Sequence, residues 1–193
     1  MEDRKIILAS SSDRRKDLLT RLGINFTAMP SNIDERGYDK ESPSEYVKQI
    51  SLDKAAKVAG FVEDALIIAA DTIVVYNEKI LGKPKNENDA FDMIKFLNNT
   101  NHKVYTGLAI ISADDKMHYI DYDMTEVYMR KIDDDEIERY IKTGEPMDKA
   151  GSYGIQGKGG IFVEKILGSY FTVMGLPIHK LSLALKSFSV DII

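Results

Sequence analysis

Leu8-Ala9-Ser10-Ser11-Ser12-Asp13-Arg14-Arg15-Lys16-Asp17-Leu18-Leu19 is the stretch whose reading decides the fold of this chain. It grows out of Lys5-Ile6-Ile7-Leu8-Ala9, a short apolar run of the kind that forms buried strands. Beyond it Leu18, Leu19 and Leu22 recur at helical spacing, and Gly23 stands where a helix ends on a left-handed residue. The junction therefore reads as strand, polar turn, helix. Ser12 or Asp13 is placed to cap the helix, at an end where unpaired N–H groups and the dipole favour an anion. Arg14 and Arg15 occupy the first turn, where a cation opposes the dipole. They are either exposed arginines of a surface helix or partners of a multiply charged anion.

The rest of the chain sets bounds on that choice. Its 193 residues suffice for one domain with a sizeable core. An apolar share of 44% and a charged share of 30% describe a soluble globular protein. A net charge of −5 argues against a general nucleic-acid coat while allowing a local basic pocket. With no cysteine, there is no disulfide, zinc thiolate site or thiol nucleophile. No apolar run is long enough for a signal peptide or a bilayer span, so the expected location is the cytoplasm, with neither nucleic acid nor membrane as partner.

Outward from the first junction, residues 25–29 are a second short strand ended by Pro30, followed by a polar loop containing Asp34 and Glu35. Those carboxylates are solvated loop charges or metal ligands. Ser42-Pro43-Ser44-Glu45 is a capping box with proline at the first helical position, opening a helix that runs to Gly60 and carries Lys54 in its latter half. Leu66-Ile67-Ile68-Ala69-Ala70 reads as a central strand covered on both faces, and Asp71 interrupts the apolar stretch before Thr72-Ile73-Val74-Val75-Tyr76. A buried charge is costly unless paired or bound to a metal, so Asp71 is a site carboxylate or a strand-end residue bonded to a turn.

A turn at Asn77-Glu78-Lys79 leads to Gly82-Lys83-Pro84, which presents Lys83 from a fixed bend. Residues 86–98 form an amphipathic helix, residues 103–113 and 117–129 a long hairpin, and the acidic run Asp133-Asp134-Asp135-Glu136 starts another helix ended by Gly144. Gly151-Ser152-Tyr153-Gly154-Ile155-Gln156-Gly157-Lys158-Gly159-Gly160 holds five glycines in ten residues, a loop that a ligand can approach closely or a mobile connection. It lacks the Ser or Thr that would follow the lysine of a Walker loop. Residues 161–166 read as a strand, and Leu176-Pro177 opens a last helix.

Arg14, Arg15, Lys54 and Lys83 together match a triphosphate, and Glu35 and Asp71 offer oxygen ligands to a magnesium-type cation. His102, His118 and His179 stand in separate, ordinary contexts, so metal-assisted attack by water is the natural chemistry.

At this point the chain resembles the Maf nucleotide pyrophosphatases, a family also described as septum-formation inhibitors. The resemblance rests on residues 8–15 with Leu18-Leu19, on Ala70-Asp71-Thr72-Ile73-Val74, on Gly82-Lys83-Pro84, on residues 151–157, and on Gly168-Ser169-Tyr170 with Val173-Met174-Gly175-Leu176-Pro177. Asp13 stands where the family usually carries proline. The resemblance implies a mixed α/β fold like that of inosine triphosphate pyrophosphatases, an elongated sheet flanked by helices with two lobes around a cleft, and residues 1–193 as a single domain. It implies hydrolysis of a nucleoside triphosphate to the monophosphate and pyrophosphate with a divalent cation, Mg2+ or Mn2+, in a homodimer. Asp71 matches the family's proton acceptor, and Arg14, Thr72 and Gln156 match the positions that mark the dTTP/UTP subgroup. On this reading Ser10, Arg14, Arg15, Lys54 and Lys83 bind phosphates, and Glu35 and Asp71 hold the metal. Modified pyrimidine nucleotides remain open as substrates. The rival reading is a non-catalytic binding protein that regulates cell division. It lacks a long exposed apolar stripe for a partner and leaves the cation-and-carboxylate set without a purpose.

Overall fold

The computed structural model describes residues 4–33, 42–114 and 117–193. Seven strands and six helices follow in the order β1 (Lys5–Leu8), α1 (Asp13–Arg21), β2 (Thr27–Ala28), α2 (Pro43–Ala59), β3 (Ala65–Tyr76), β4 (Lys79–Leu81), α3 (Glu87–Leu97), β5 (Asn101–Ser112), β6 (His118–Met129), α4 (Asp134–Ile141), β7 (Val163–Leu167), α5 (Tyr170–Met174) and α6 (Ile178–Ser187). The strands make one sheet in the order β2-β1-β3-β5-β6-β7, with β4 paired to β3. β1 runs parallel to β2 and β3, while β4 runs antiparallel to β3 and β7 antiparallel to β6, so the sheet is mixed. Among the described residues no helix is long and apolar enough to cross a membrane.

Local chemistry accounts for most element ends. Ser42 caps α2 by accepting from the Glu45 N–H, with Pro43 at the first helical position, while the Glu45 carboxylate pairs with Lys48. Asn86 caps α3 through the Asp89 N–H, and Asp133 and Glu136 form a reciprocal box at the start of α4. Asn77 and Glu78 both have positive φ, 47° and 62°, and join Tyr76 to its partner Lys79, the signature of a two-residue hairpin turn whose twist suits the strands.

Two expectations about these elements need correction, and one short helix goes unmarked in the sequence. Neither Ser12 nor Asp13 caps α1 with its side chain; the Asp13 carboxylate turns to Lys16 at 2.9 Å instead. The stretch expected as a strand from residue 161 begins as a 3-10 turn, Lys158–Phe162, and becomes extended only at Val163. The short helix α5 was not foreseen, because its five residues carry too little periodicity to stand out.

By its contacts the chain divides into two compact units. Unit one is Met1–Asp71, Thr106–Asp123 and Gly175–Ile193, and unit two is Thr72–Tyr105 and Met124–Met174. In unit one, Ile7 and Ala9 of the β1 segment, Ile67 and Ala69 of β3 and Ala109 of β5 bury one face against Ala55 and Val58 of α2. Gly107 lets α2 approach closely: a Cβ there would lie 2.1 Å from the Val47 carbonyl oxygen. In unit two, Ala90, Ile94 and Leu97 of α3 and Ile137, Tyr140 and Ile141 of α4 pack with Val74, Val104, Val127, Met129, Tyr153 and Phe162. His102 lies in that interior, 2% exposed, with Nε2 2.7 Å from the Tyr153 hydroxyl, which makes it a structural histidine.

Candidate functional site

The parallel pairing of β1 and β3 sets up the first group of residues. Leu8 lies opposite Ile68, and the Ala9 N–H donates to the Ile68 carbonyl at 2.8 Å, so the chain leaves β1 at Ser10 alongside Ala70 and Asp71. β1 stops there and β3 continues. A strand that ends beside a longer neighbour leaves room above its carboxyl end, the usual place for a ligand in an α/β sheet.

Ser10 is 8% exposed and organises the turn into α1. Its hydroxyl accepts from the Ser12 N–H at 3.2 Å and from Arg15 at 3.2 Å. The Arg15 Nε donates to the Gly175 carbonyl at 2.7 Å, so a main-chain oxygen 160 residues away and a local hydroxyl together fix its guanidinium. Arg14 is half-buried on the same turn. The Ser12 side chain makes no capping bond, and the start of α1 is the end of a helix whose dipole suits an anion.

Asp71 is not at a strand end. It lies inside β3, on the same face as Ile67 and Ala69, and is 8% exposed. That face is the one α2 covers, and Lys54 precedes Ala55 on α2. The Lys54 ammonium donates to Asp71 Oδ1 at 2.6 Å, with only 13% and 11% of the two side chains exposed. The pair answers the cost of burying a carboxylate within an apolar strand. Unit one thus assembles Ser10, Arg14, Arg15, Lys54 and Asp71. Glu35, with its neighbour Asp34, falls outside the described residues.

Unit two carries Thr72, Lys83 and Gln156. The register Val74 to Leu81 sends the chain from β4 through Gly82-Lys83-Pro84 back along β3 in the direction of Thr72. Lys83 is exposed while Pro84 is buried, so the bend is anchored and the lysine is presented. The glycine-rich segment is tied to the same bend: the Gly151 N–H donates to the Gly82 carbonyl at 3.1 Å, and Gly151 lies against Val74. Further on, a turn closed by the Gly157 N–H on the Gly154 carbonyl at 3.2 Å carries exposed Gln156 at its corner. This loop is therefore packed against the bend and closed by its own turn.

Sequence reading missed two parts of this arrangement. One is the Gly175 carbonyl, since a main-chain acceptor leaves no mark of its own in a sequence. The other is Glu145 with Tyr140, on which the loop rests. A signal existed in the spacing of Gly154, Gly157 and Gly159, positions that crowding by another group leaves without side chains.

Among the described residues no group of three or more His, Asp or Glu is placed to hold a metal ion. Asp71 supplies one hard oxygen donor. That suits a magnesium-type ion, which takes one or two carboxylates and completes its shell with water and substrate phosphate.

A mixed sheet of this order flanked by helices belongs to the fold class of the HAM1 proteins. The solved structure of a HAM1 protein from Coxiella burnetii matches with a TM-score of 0.53 over 95% of this chain and 98% of that one, at 13% identity, a likeness of fold alone. The model of the Maf-like protein family matches residues 5–188, and the chain belongs to that family. It is 49% identical over 191 residues to a protein of Alkaliphilus metalliredigens named dTTP/UTP pyrophosphatase, covering 98% of this chain and 99% of that one. It is 52% identical over 184 residues to a protein of Clostridium botulinum with the same name, covering 94% and 98%.

Proposed function

We propose that this protein is a nucleoside triphosphate pyrophosphatase that hydrolyses dTTP and UTP to the nucleoside monophosphate and pyrophosphate. The observation that carries the reading is the buried Lys54–Asp71 pair beside the Ser10–Arg15 turn in unit one. The names of the close relatives over nearly the full chain support the same activity.

On this reading water attacks the α-phosphorus and a new P–O bond forms. The bond from that phosphorus to the bridging oxygen breaks, pyrophosphate departs with the bond's electrons, and the water's proton passes to Asp71. Ser10, Arg14 and Arg15 hold the phosphates and balance the charge that gathers as the bond breaks. Lys54 balances Asp71 before substrate arrives and offers its ammonium to the phosphates afterwards. Lys83 adds a further cation to the phosphates. A divalent ion held by Asp71, with Glu35 as a second ligand, would supply charge neutralisation and a more acidic water.

Gln156 and Thr72 are the base-reading groups of the proposal, together with Arg14. Uracil and thymine present acceptor, donor, acceptor along their pairing edge, and cytosine presents acceptor, acceptor, donor. A glutamine held so that it accepts from N3–H and donates to O4 leaves groups mispaired when cytosine enters. The same reading takes residues 1–193 as one domain that works in the cytoplasm as a homodimer, which sizing in solution tests.

The deciding experiment incubates the pure protein and Mg2+ with dTTP, UTP, CTP, ATP and GTP and measures pyrophosphate. Turnover of dTTP and UTP well above the others is expected. Release of no pyrophosphate from any of them would favour the non-catalytic regulator instead, and equal turnover of all would defeat the dTTP/UTP assignment alone.

A further inference from the structure

The loop that carries Gln156 is built around a carboxylate. Glu145 Oε1 accepts from the Tyr140 hydroxyl at 2.9 Å and from the Gly159 N–H at 3.1 Å, while Oε2 accepts from the Lys158 N–H at 2.9 Å. The Tyr140 hydroxyl accepts in turn from the Gly154 N–H at 3.1 Å. Lys149 reinforces the cradle by donating to the Glu145 carbonyl at 2.6 Å. The 158–159 end of the segment is thereby bonded to Glu145 directly and the Gly154 end through the Tyr140 hydroxyl, with Gln156 between them.

The same packing explains the glycines. A Cβ on Gly157 would lie 2.4 Å from Glu145 Oε1, one on Gly159 2.6 Å from the Tyr140 hydroxyl, and one on Gly154 2.6 Å from Lys149 Cε. Side chains at these places would collide with the groups that hold the loop. Burial opposes the charge on Glu145, but the Gly159 and Lys158 N–H groups, the Tyr140 hydroxyl and the nearby Lys149 outweigh it and hold the carboxyl below its ordinary range. The acceptor is therefore fully ionised at neutral pH.

We infer that Glu145 is a positioning residue for nucleotide selection: its carboxylate sets the conformation of residues 154–159 and thereby the place from which Gln156 meets the base. The inference rests on the base-reading role proposed for Gln156. A carboxylate suits this task because all its lone pairs accept. A glutamine in its place would turn an NH₂ group towards a main-chain N–H, two donors face to face. The Tyr140 hydroxyl is the second link, and its ring is held independently, edge-on to Phe162 at 5.0 Å between centroids.

The test compares wild type, Glu145→Gln, Glu145→Asp and Tyr140→Phe in two measurements. One is kcat/KM for UTP and for CTP; the other is hydrogen exchange at the Lys158 and Gly159 amides. In Glu145→Gln the UTP-to-CTP ratio should fall about tenfold, chiefly through a higher KM for UTP, as expected when a group is misplaced by a fraction of an ångström to an ångström. Exchange at the two amides should speed up in the same variant. Tyr140→Phe should show a smaller fall, and Glu145→Asp, which keeps the charge, should recover part of the ratio. If Glu145→Gln does not fold, Tyr140→Phe decides. A wild type that discriminates, beside folded variants with an unchanged ratio, overturns the inference alone. A wild type that treats UTP and CTP alike defeats the reading of Gln156 and the inference with it.

Discussion

Asp71 and Lys54 show how much one contact changes a residue's meaning. Taken alone, Asp71→Asn removes a base and a charge at constant shape, and stability should be untouched. The Lys54 contact at 2.6 Å alters that expectation. Asparagine still offers an oxygen to the ammonium, but Lys54, with 13% of its side chain exposed, then loses the negative charge of Asp71 beside it. Asp71→Asn should cost roughly 1–3 kcal/mol of stability and, with water activation lost, about 10²–10⁴ in kcat. Urea denaturation and pyrophosphate release on the same preparation check both; a variant that melts earlier yet keeps full activity per folded molecule would remove Asp71 from the chemistry. Arg15 is the companion case. Its planar fork reaches Gly175 and Ser10 at once, which a lysine cannot do. Arg15→Lys should lower kcat/KM for UTP by about 10- to 100-fold, the worth of a charged hydrogen bond, with a change in melting temperature too small to account for it. Unaltered kinetics would leave Arg15 a structural tie only.

At the scale of elements, α2 carries the argument. Its capped start and its buried Val47, Ile50, Ala55 and Val58 were readable from the chain. Its distance from the sheet was not. Gly107 of β5 lies against the helix backbone, and Ser51 turns its hydroxyl into the same contact, where it is buried without a hydrogen-bond partner among the described residues. Gly107→Ala must push backbone from backbone, because the nearest atoms are the Val47 carbonyl oxygen and carbon at 2.1 and 2.5 Å. The expected loss is about 1–3 kcal/mol or more, as for other overpacked contacts. Since Lys54 lies one turn beyond Ser51, the displaced helix should also weaken the ion pair and lower activity per folded molecule. Chemical denaturation with parallel assays measures the two effects, and a Gly107→Ala protein of wild-type stability would contradict the close approach.

For the whole molecule the clearest consequence is its behaviour in acid. Burial lowers the His102 pKa from 6.5 to about 4. Above pH 6.5 neither the folded nor the unfolded chain holds this proton. As pH falls from 6.5 towards 4 the unfolded chain takes it up and the folded one does not, so stability declines across that window, by roughly 3 kcal/mol at its end. Glu136 adds a second loss at lower pH. The Arg130 side chain, then the Asp133 N–H, hold its pKa at about 2, so its contribution disappears as pH drops from 4.5 towards 2. Urea midpoints at pH 7.5, 5.5 and 4.5 should fall steadily in wild type and less steeply in His102→Gln. Parallel profiles for the two proteins would mean that His102 is protonated in the native interior.

The amino-acid sequence by itself determined where several elements begin and end: Ser42-Pro43 before α2, Gly23 after α1 and the turn that starts at Asn77-Glu78. Caps, turns and periodicity act within a few residues, so a linear reading captures them. It also drew together Arg14, Arg15, Lys54, Asp71 and Lys83 as candidates, because charges amid apolar runs demand an explanation. It placed Asp71 at a strand end, since a carboxylate inside a central strand looks like a terminus until its partner is seen. Only the tertiary structure supplied that partner, by laying α2 over the face of β3 that holds Ile67 and Ala69. Only it showed Arg15 bonded to Gly175 and the glycine-rich loop closed on Glu145. These contacts join residues that are distant in the chain or bound through main-chain atoms, and register and packing, rather than local preference, bring them together.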